Sequence, residues 1–223
     1  MPFSESPFSI IVSRPRITAD NTNIFTVITE EMKRYGTGCS LNHIDVSGVT
    51  SMTYLFAHRN FNGKCPDISE WDTRNVRHAD MMFARSDFNG DISCWNTGSL
   101  ETMSNMFSVN KYFNGDLSKW NTGKVYDMSS LFYMSVFDGD ISGWDVRKTK
   151  FMQCMFYRNR RFNADISGWK PESAENMAGM FADGVFNVDI GKWTAYIKPE
   201  TNVRDMFKFN KCYEYDRNVL GKT

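Results

Sequence analysis

Apolar and polar residues recur along this chain on a fixed beat. In FNGDISCWNTGSLETMSNMF, residues 88 to 107, one Ile sits between Asp and Ser, a Trp follows, and a run of Leu, Met and Phe closes the stretch. The same order returns in FNGDLSKWNTGKVYDMSSLF and FNADISGWKPESAENMAGMF. One half of the pattern, V-x-x-M-x-x-M-F, sets apolar side chains at relative positions 0, 3, 6 and 7, as in Val49, Met52, Leu55 and Phe56. That spacing predicts one face of a helix of about two to three turns. The other half, F-N-G-D-I-S-x-W, is bounded by Asn-Gly and predicts a turn entering a short extended segment.

The six Trp residues, 71, 95, 120, 144, 169 and 193, are spaced by 24, 25, 24, 25 and 24 residues. Asp67, Asp91, Asp116, Asp140, Asp165 and Asp189 each lie four residues before a Trp, with Ile or Leu in the next place. Met-Phe or Leu-Phe pairs close the units at 82–83, 106–107, 131–132, 155–156, 180–181 and 206–207, and a worn first copy ends at Leu55-Phe56 with Ile44 in the Trp place. Repeats of this length cannot bury their apolar face alone and must stack. The expected fold is therefore an α/β leucine-rich-repeat-like repeat solenoid of seven stacked strand-turn-helix coils over residues 39–207. Helices about 10 Å thick opposite strands about 4.8 Å apart would bend it, concave on the strand side.

Two segments lie outside the beat and are expected to cap its ends. Residues 1–38 read as a strand at SIIVS (9 to 13) followed by a capping helix with the apolar stripe Ile24, Val27, Ile28, Met32 and Tyr35, started by Asp20 or Thr22 and ended by Gly36. Residues 208–223 are expected to cover the other end.

Composition narrows the function. With 41% hydrophobic residues over 223 positions there is ample material for a core. Lys+Arg and Asp+Glu balance at 26 each, so bulk charge points neither to a general nucleic-acid binder nor to an anionic membrane. No signal-peptide pattern and no apolar run of membrane-spanning length is read, and the five cysteines, without any CxxC, suit reduced thiols in a cytosol. His43, His58 and His78 stand in no nucleophile or H-E-x-x-H context, and no Gly-rich phosphate loop is present. A non-enzymatic protein without cofactor or metal is expected. The Asp column, which a Ca²⁺ solenoid would also require, is read as turn-capping carboxylates. The Trp and Met-Phe columns are read as core, and the Asn of each FN pair as a buried ladder.

The three quoted repeats resemble the roughly 25-residue repeats of the BspA-like leucine-rich-repeat bacterial surface proteins, over about three quarters of the chain. The resemblance implies a curved solenoid for protein binding or adhesion, with no catalytic residues to carry over. Similar arrays in viruses and phages imply an alternative, an intracellular inhibitor of a host protein.

The strongest departure from the repeat is VRKTKFMQCMFYRNRRF. Between 147 and 161 it holds Arg147, Lys148, Lys150, Arg158, Arg160 and Arg161 with no acid, and Tyr157 among them. Arg with Tyr is the composition of interface anchors, so these seven residues are the expected binding site for a protein or, alternatively, a nucleic-acid backbone. Variable positions after each Trp (Arg74, Ser99, Lys124, Arg147) and before each FN (Arg59, Arg85, Lys111, Arg160) extend the expected recognition surface.

Overall fold

The structure is a computed structural model, and it describes residues 14–212. The expected strand at 9–13 and most of the C-terminal cap lie outside those residues. The remaining elements are β1 (Ile17–Thr18), α1 (Ile24–Tyr35), β2 (Ile44–Asp45) and a 3-10 turn at Gly191–Ala195. We number the coils 1 to 7 by their closing pairs, from Leu55-Phe56 to Met206-Phe207.

Successive coils lie parallel. Single parallel bridges run Ser51, His78, Thr102, Asp127, Phe151, Asn176, Asn202, one residue per coil. The buried aromatic side chains repeat that order. Phe56, Phe83, Phe107, Phe132, Phe156, Phe181 and Phe207 follow one another at ring separations of 5.5 to 5.7 Å. The neighbouring Trp rings that stack do so at 6.1 to 6.5 Å. Within coils 2 to 6 a second Phe (88, 113, 137, 162, 186) lies 3.8 to 4.1 Å from the first. Core and stack are thus one object, because each coil's apolar side chains are covered by the next.

The expected helix within each coil is absent, and coil 3 shows what replaces it. The N–H groups of Met103, Asn105, Phe107 and Val109 donate to Asp127, Ser129, Leu131 and Tyr133 of coil 4, at 2.7 to 3.1 Å. The alternate N–H groups of Met106, Ser108 and Asn110 donate three residues back, to Met103, Asn105 and Phe107. The segment is a ribbon of overlapping turns, bonded alternately to itself and to its neighbour. Every other turn carries a left-handed residue in third place, as type II turns do. Asn105 and Val109 have φ of 56° and 60°, and the equivalent pair recurs in every coil, from Tyr54 and His58 to Asp205 and Phe209. Non-glycine residues accept that conformation at a cost of about 1–2 kcal/mol each, offset by the hydrogen bonds it permits to the next coil. An apolar period of three to four residues fits this ribbon as well as a helix, which is why the pattern misled. With no helix to thicken one side, the reason for the expected bend also disappears: the Phe and Trp ladders step by distances within about 1 Å of each other.

At the amino-terminal end, β1 pairs with β2 in parallel, and Asn21 Oδ1 accepts the N–H groups of Thr50 and Ser51. Helix α1 buries Ile24, Ile28 and Met32 in the core of coil 1. Asp20 Oδ1 accepts from the N–H groups of Thr22 and Asn23 just ahead of the helix, and Gly36, at φ 86°, closes it with a bond to Met32.

Candidate functional site

The repeated Asp and Trp are used inside the stack. Each Asp of the column accepts, through Oδ1, the N–H two residues on: Ser69, Ser93, Ser118, Ser142, Ser167 and Gly191. Hydrogen bonds from the following Ser hold Asp91, Asp116, Asp140 and Asp165 below the usual carboxylate range. For Asp67 burial pulls upward, yet the bonds from Ser69 and Asn42 outweigh it. Every Trp indole N–H donates to the Ile or Leu carbonyl of the preceding coil, from Trp71 to Leu41 through Trp193 to Ile166, at 3.0 to 3.2 Å. Among the described residues, no three His, Cys, Asp or Glu side chains converge as a metal site.

A polar column that sequence reasoning missed explains the alternation of 24 and 25. In the longer coils, Asn110 and Asn159 are buried. Their Oδ1 atoms accept two N–H groups each, Tyr112 and Phe113 or Arg161 and Phe162, while Nδ2 donates to Phe88 or Phe137 of the coil before. In two of the shorter coils Ser86 and Ser135 stand there and accept a single backbone N–H each, from Phe88 and Phe137, and in the third the place is Gly184. One extra residue bulges at the corner, and the larger amide plugs it. The signal was present as N-x-x-F in place of S-x-F. The FN column forms a ladder too, Asn89 to Asn114 to Asp138, but an exposed one, contrary to the expectation that it is buried.

Two of the three histidines have polar partners. His43 Nε2 lies 3.0 Å from the buried Glu31 carboxylate. His78 Nδ1 lies 3.1 Å from Thr102 Oγ1, whose proton is donated to Asp80 at 2.6 Å. Toward His78 that hydroxyl therefore accepts, the reverse of a nucleophile donating to its base.

The basic stretch divides into separate places. Arg147 and Lys148 occupy the corner after Trp144, where Arg147 makes a two-pronged pair with Asp145 and its hydrogen bonds draw that carboxyl down to about 2. Lys150 sits in the bridge region, 2.8 Å from Glu175 of coil 6. Tyr157 and Arg158 lie on the outer face of the ribbon, with the Arg158 guanidinium 5.4 Å from the Tyr157 ring and 2.7 Å from Asp183 of coil 6. Arg160 is 3.8 Å from the same carboxylate, and Arg161 follows at the bulged corner. Lys150, Arg158 and Arg160 thus meet acids of the next coil, about 25 residues on, whereas Arg147 is answered within its own. The structure gathers Tyr157, Arg158 and Arg160 around Asp183, and sets Arg147, Lys148 and Lys150 apart from them.

The ribbon's outer face is also where coils differ most. Its first left-handed place holds Tyr54, Met81, Asn105, Ser130, Cys154, Gly179 and Asp205 in turn. Tyr54 and Phe209 are among the exposed large hydrophobic residues of the molecule.

Stacked coils that share one repeated apolar core define a repeat protein. The chain belongs to the family described as "Mycoplasma protein of unknown function, DUF285", whose model matches twice, over residues 28–136 and 111–219. No curated protein and no solved structure matches it. No helix among the described residues is long and apolar enough to cross a membrane.

Proposed function

We propose that the chain is a non-enzymatic solenoid that binds another protein through the outer face of its turn ribbon, in the manner of the BspA-like surface repeats it resembles. The observation that carries this reading is the division of labour between residues. Asp, Trp, Phe and buried Asn have their polar atoms or rings engaged within the stack, whereas the ribbon face presents exposed, non-repeating Tyr, Met, Arg and Phe. Aromatic and Arg side chains on a rigid frame are what protein interfaces use as anchors. Of the residues in the basic stretch, Tyr157, Arg158 and Arg160 belong to this surface, and Arg147, Lys148, Lys150 and Arg161 border it. Five free thiols suit action in a reducing compartment such as the cytoplasm, where a host protein is the natural target.

The test is affinity capture with the full chain and two variants of unchanged melting temperature. Replacing Tyr133, Tyr157 and Arg158 by Ser should lose the captured protein, while replacing Arg147 and Lys148 by Ser should keep it. Loss in the second variant and retention in the first would reverse the assignment of the surface. Retention of nucleic acid, with an affinity that falls steeply with salt, would replace the protein reading by the nucleic-acid one.

A further inference from the structure

The turn ribbons align their peptide groups along the stack. Tyr54 N–H donates to Asp80, Met81 to Ser104, Asn105 to Ser129, Ser130 to Gln153, Cys154 to Ala178 and Gly179 to Arg204, all at 2.8 to 2.9 Å. This is one chain of six hydrogen bonds through one peptide group per coil, and parallel chains of six start at Met52, Phe56 and His58. Every bond points the same way, N–H toward the carboxyl-terminal end. Aligned peptide dipoles add, as they do along a helix, so the column of ribbons has a positive pole at coil 7 and a negative pole at coil 1.

The two poles differ. At coil 1 the carbonyls of Ser51, Thr53, Leu55 and Ala57 hold the places that accept in every later coil. Helix α1 lies across that coil, with the preceding Asn21 accepting from Thr50 and Ser51, and Arg59 donating to Thr29. Among the described residues, nothing equivalent lies across the ribbon of coil 7. The N–H groups of Val203, Asp205 and Phe209 end three of the four chains, and none has an acceptor among the described residues. Arg204, Asp205, Lys208 and Phe209 are all exposed, Phe209 at 72%, whereas Ser104, Asn105, Ser108 and Val109 at the same places of coil 3 are buried or half-buried.

Chemistry specifies the occupant. The edge offers donors and no carbonyl, because Asn202, Arg204, Met206 and Lys208 turn theirs back to accept from coil 6, and Val203, Asp205 and Phe207 accept within their own turns. A β-strand laid against it would alternate its acceptors with N–H groups that face donors. A carboxylate is acceptor-only, and bonds to it are about twice as strong as neutral ones. The side chains agree. Arg204 and Lys208 flank the donors, and the one acid between them, Asp205, is shared by both at 3.7 and 3.4 Å, so the edge stays positive.

We infer that this carboxyl-terminal edge of the ribbon column binds an extended acidic segment of a protein partner. Carboxylates at alternate residues accept from Val203, Asp205 and Phe209, while Arg204 and Lys208 pair with them from the side. The inference rests on the reading of the chain as a protein binder, and adds a contact at the end of the stack to the one on its outer face.

The test uses the full chain and a labelled peptide, Gly-Glu-Gly-Glu-Gly-Glu-Gly, followed by fluorescence anisotropy. Saturable binding is expected, weakened at least about tenfold when every Glu is replaced by Gln. Val203→Pro removes one donor and no charge, at an N–H that bonds nothing in the free chain, and should weaken binding about threefold or more. Val203→Ala should bind as the wild type does. Arg204→Ser with Lys208→Ser should weaken binding further and flatten its salt dependence. Melting curves confirm that each variant is folded. In the wild-type chain the amide resonances of Val203, Asp205 and Phe209 should shift together as peptide is added, a readout that needs no variant. No saturation up to about 1 mM peptide, equal binding by Val203→Pro and Val203→Ala, or three unmoved amides overturns the inference. So does tighter binding of an oligothymidylate of equal charge, which would assign the edge to a phosphate backbone. Binding that appears only after Glu214→Gln and Asp216→Asn also overturns it, by giving the edge to the chain's own acids. If the protein captured by the wild type is still captured after Arg204→Ser with Lys208→Ser, the edge is dismissed and the outer-face reading stands.

Discussion

The Asp-Trp corner and the outer face of the turn ribbon are made by the same repeat and behave in opposite ways. At the corner each coil says the same thing, because Asp must receive the N–H two residues on and Trp must reach the carbonyl of the coil before. On the ribbon the backbone makes most of the bonds between coils, so few of its outward side chains are needed to hold the stack. Even the left-handed places accept Tyr, Met, Asn, Ser, Cys or Asp. Repetition marks where side chains hold the stack, and variation marks where the stack does not depend on them.

The largest test of that contrast is Trp120→Ala, which removes a ring 3% exposed together with its bond to Ile92, and should cost about 3–5 kcal/mol in chemical denaturation. A loss below about 1 kcal/mol would mean that the corner does not hold the stack. Next comes Asn159→Ala, which strips the acceptor from Arg161 and Phe162 and the donor from Phe137, for about 2–3 kcal/mol. Asn159→Ser with deletion of Arg161 turns a 25-residue coil into a 24-residue one, and should recover most of that loss. If it does not, the amide is more than a plug for the bulge.

Acid provides a third test. The hydrogen-bonded Asp residues titrate lower folded than unfolded, so they contribute stability above the ordinary aspartate range, near pH 4, and that contribution fades as pH falls through their folded values. Replacing Asp116, Asp140 and Asp165 by Asn keeps an acceptor oxygen and should flatten the acid limb of the melting temperature against pH. An unchanged acid limb would show that the column is not what acid attacks. The smallest effect is expected on the ribbon: Tyr157→Ser and Arg158→Ser should shift stability by no more than about 0.5–1 kcal/mol each.

Much of the stack was legible from six Trp residues at near-constant spacing, because a repeat that cannot cover its own core announces its neighbours. The turn ribbon was not. Met52, Leu55 and Phe56 sit at helical spacing, and nothing in their side chains reveals that alternate N–H groups point along the stack instead of back along the chain. The site was half legible. Tyr157 and Arg158 stood out as departures from the repeat, but the acids that answer the basic run, Glu175 and Asp183, lie one coil away and become its neighbours only in the folded chain.

Hydrogen exchange of the full chain, alone and with its captured protein, tests the central claim most directly. Bound partner should slow exchange on the ribbons of coils 5 and 6, residues 153 to 158 and 178 to 183, and leave the Asp-Trp corners at 91 to 95 and 116 to 120 unchanged. Protection confined to those corners would contradict it.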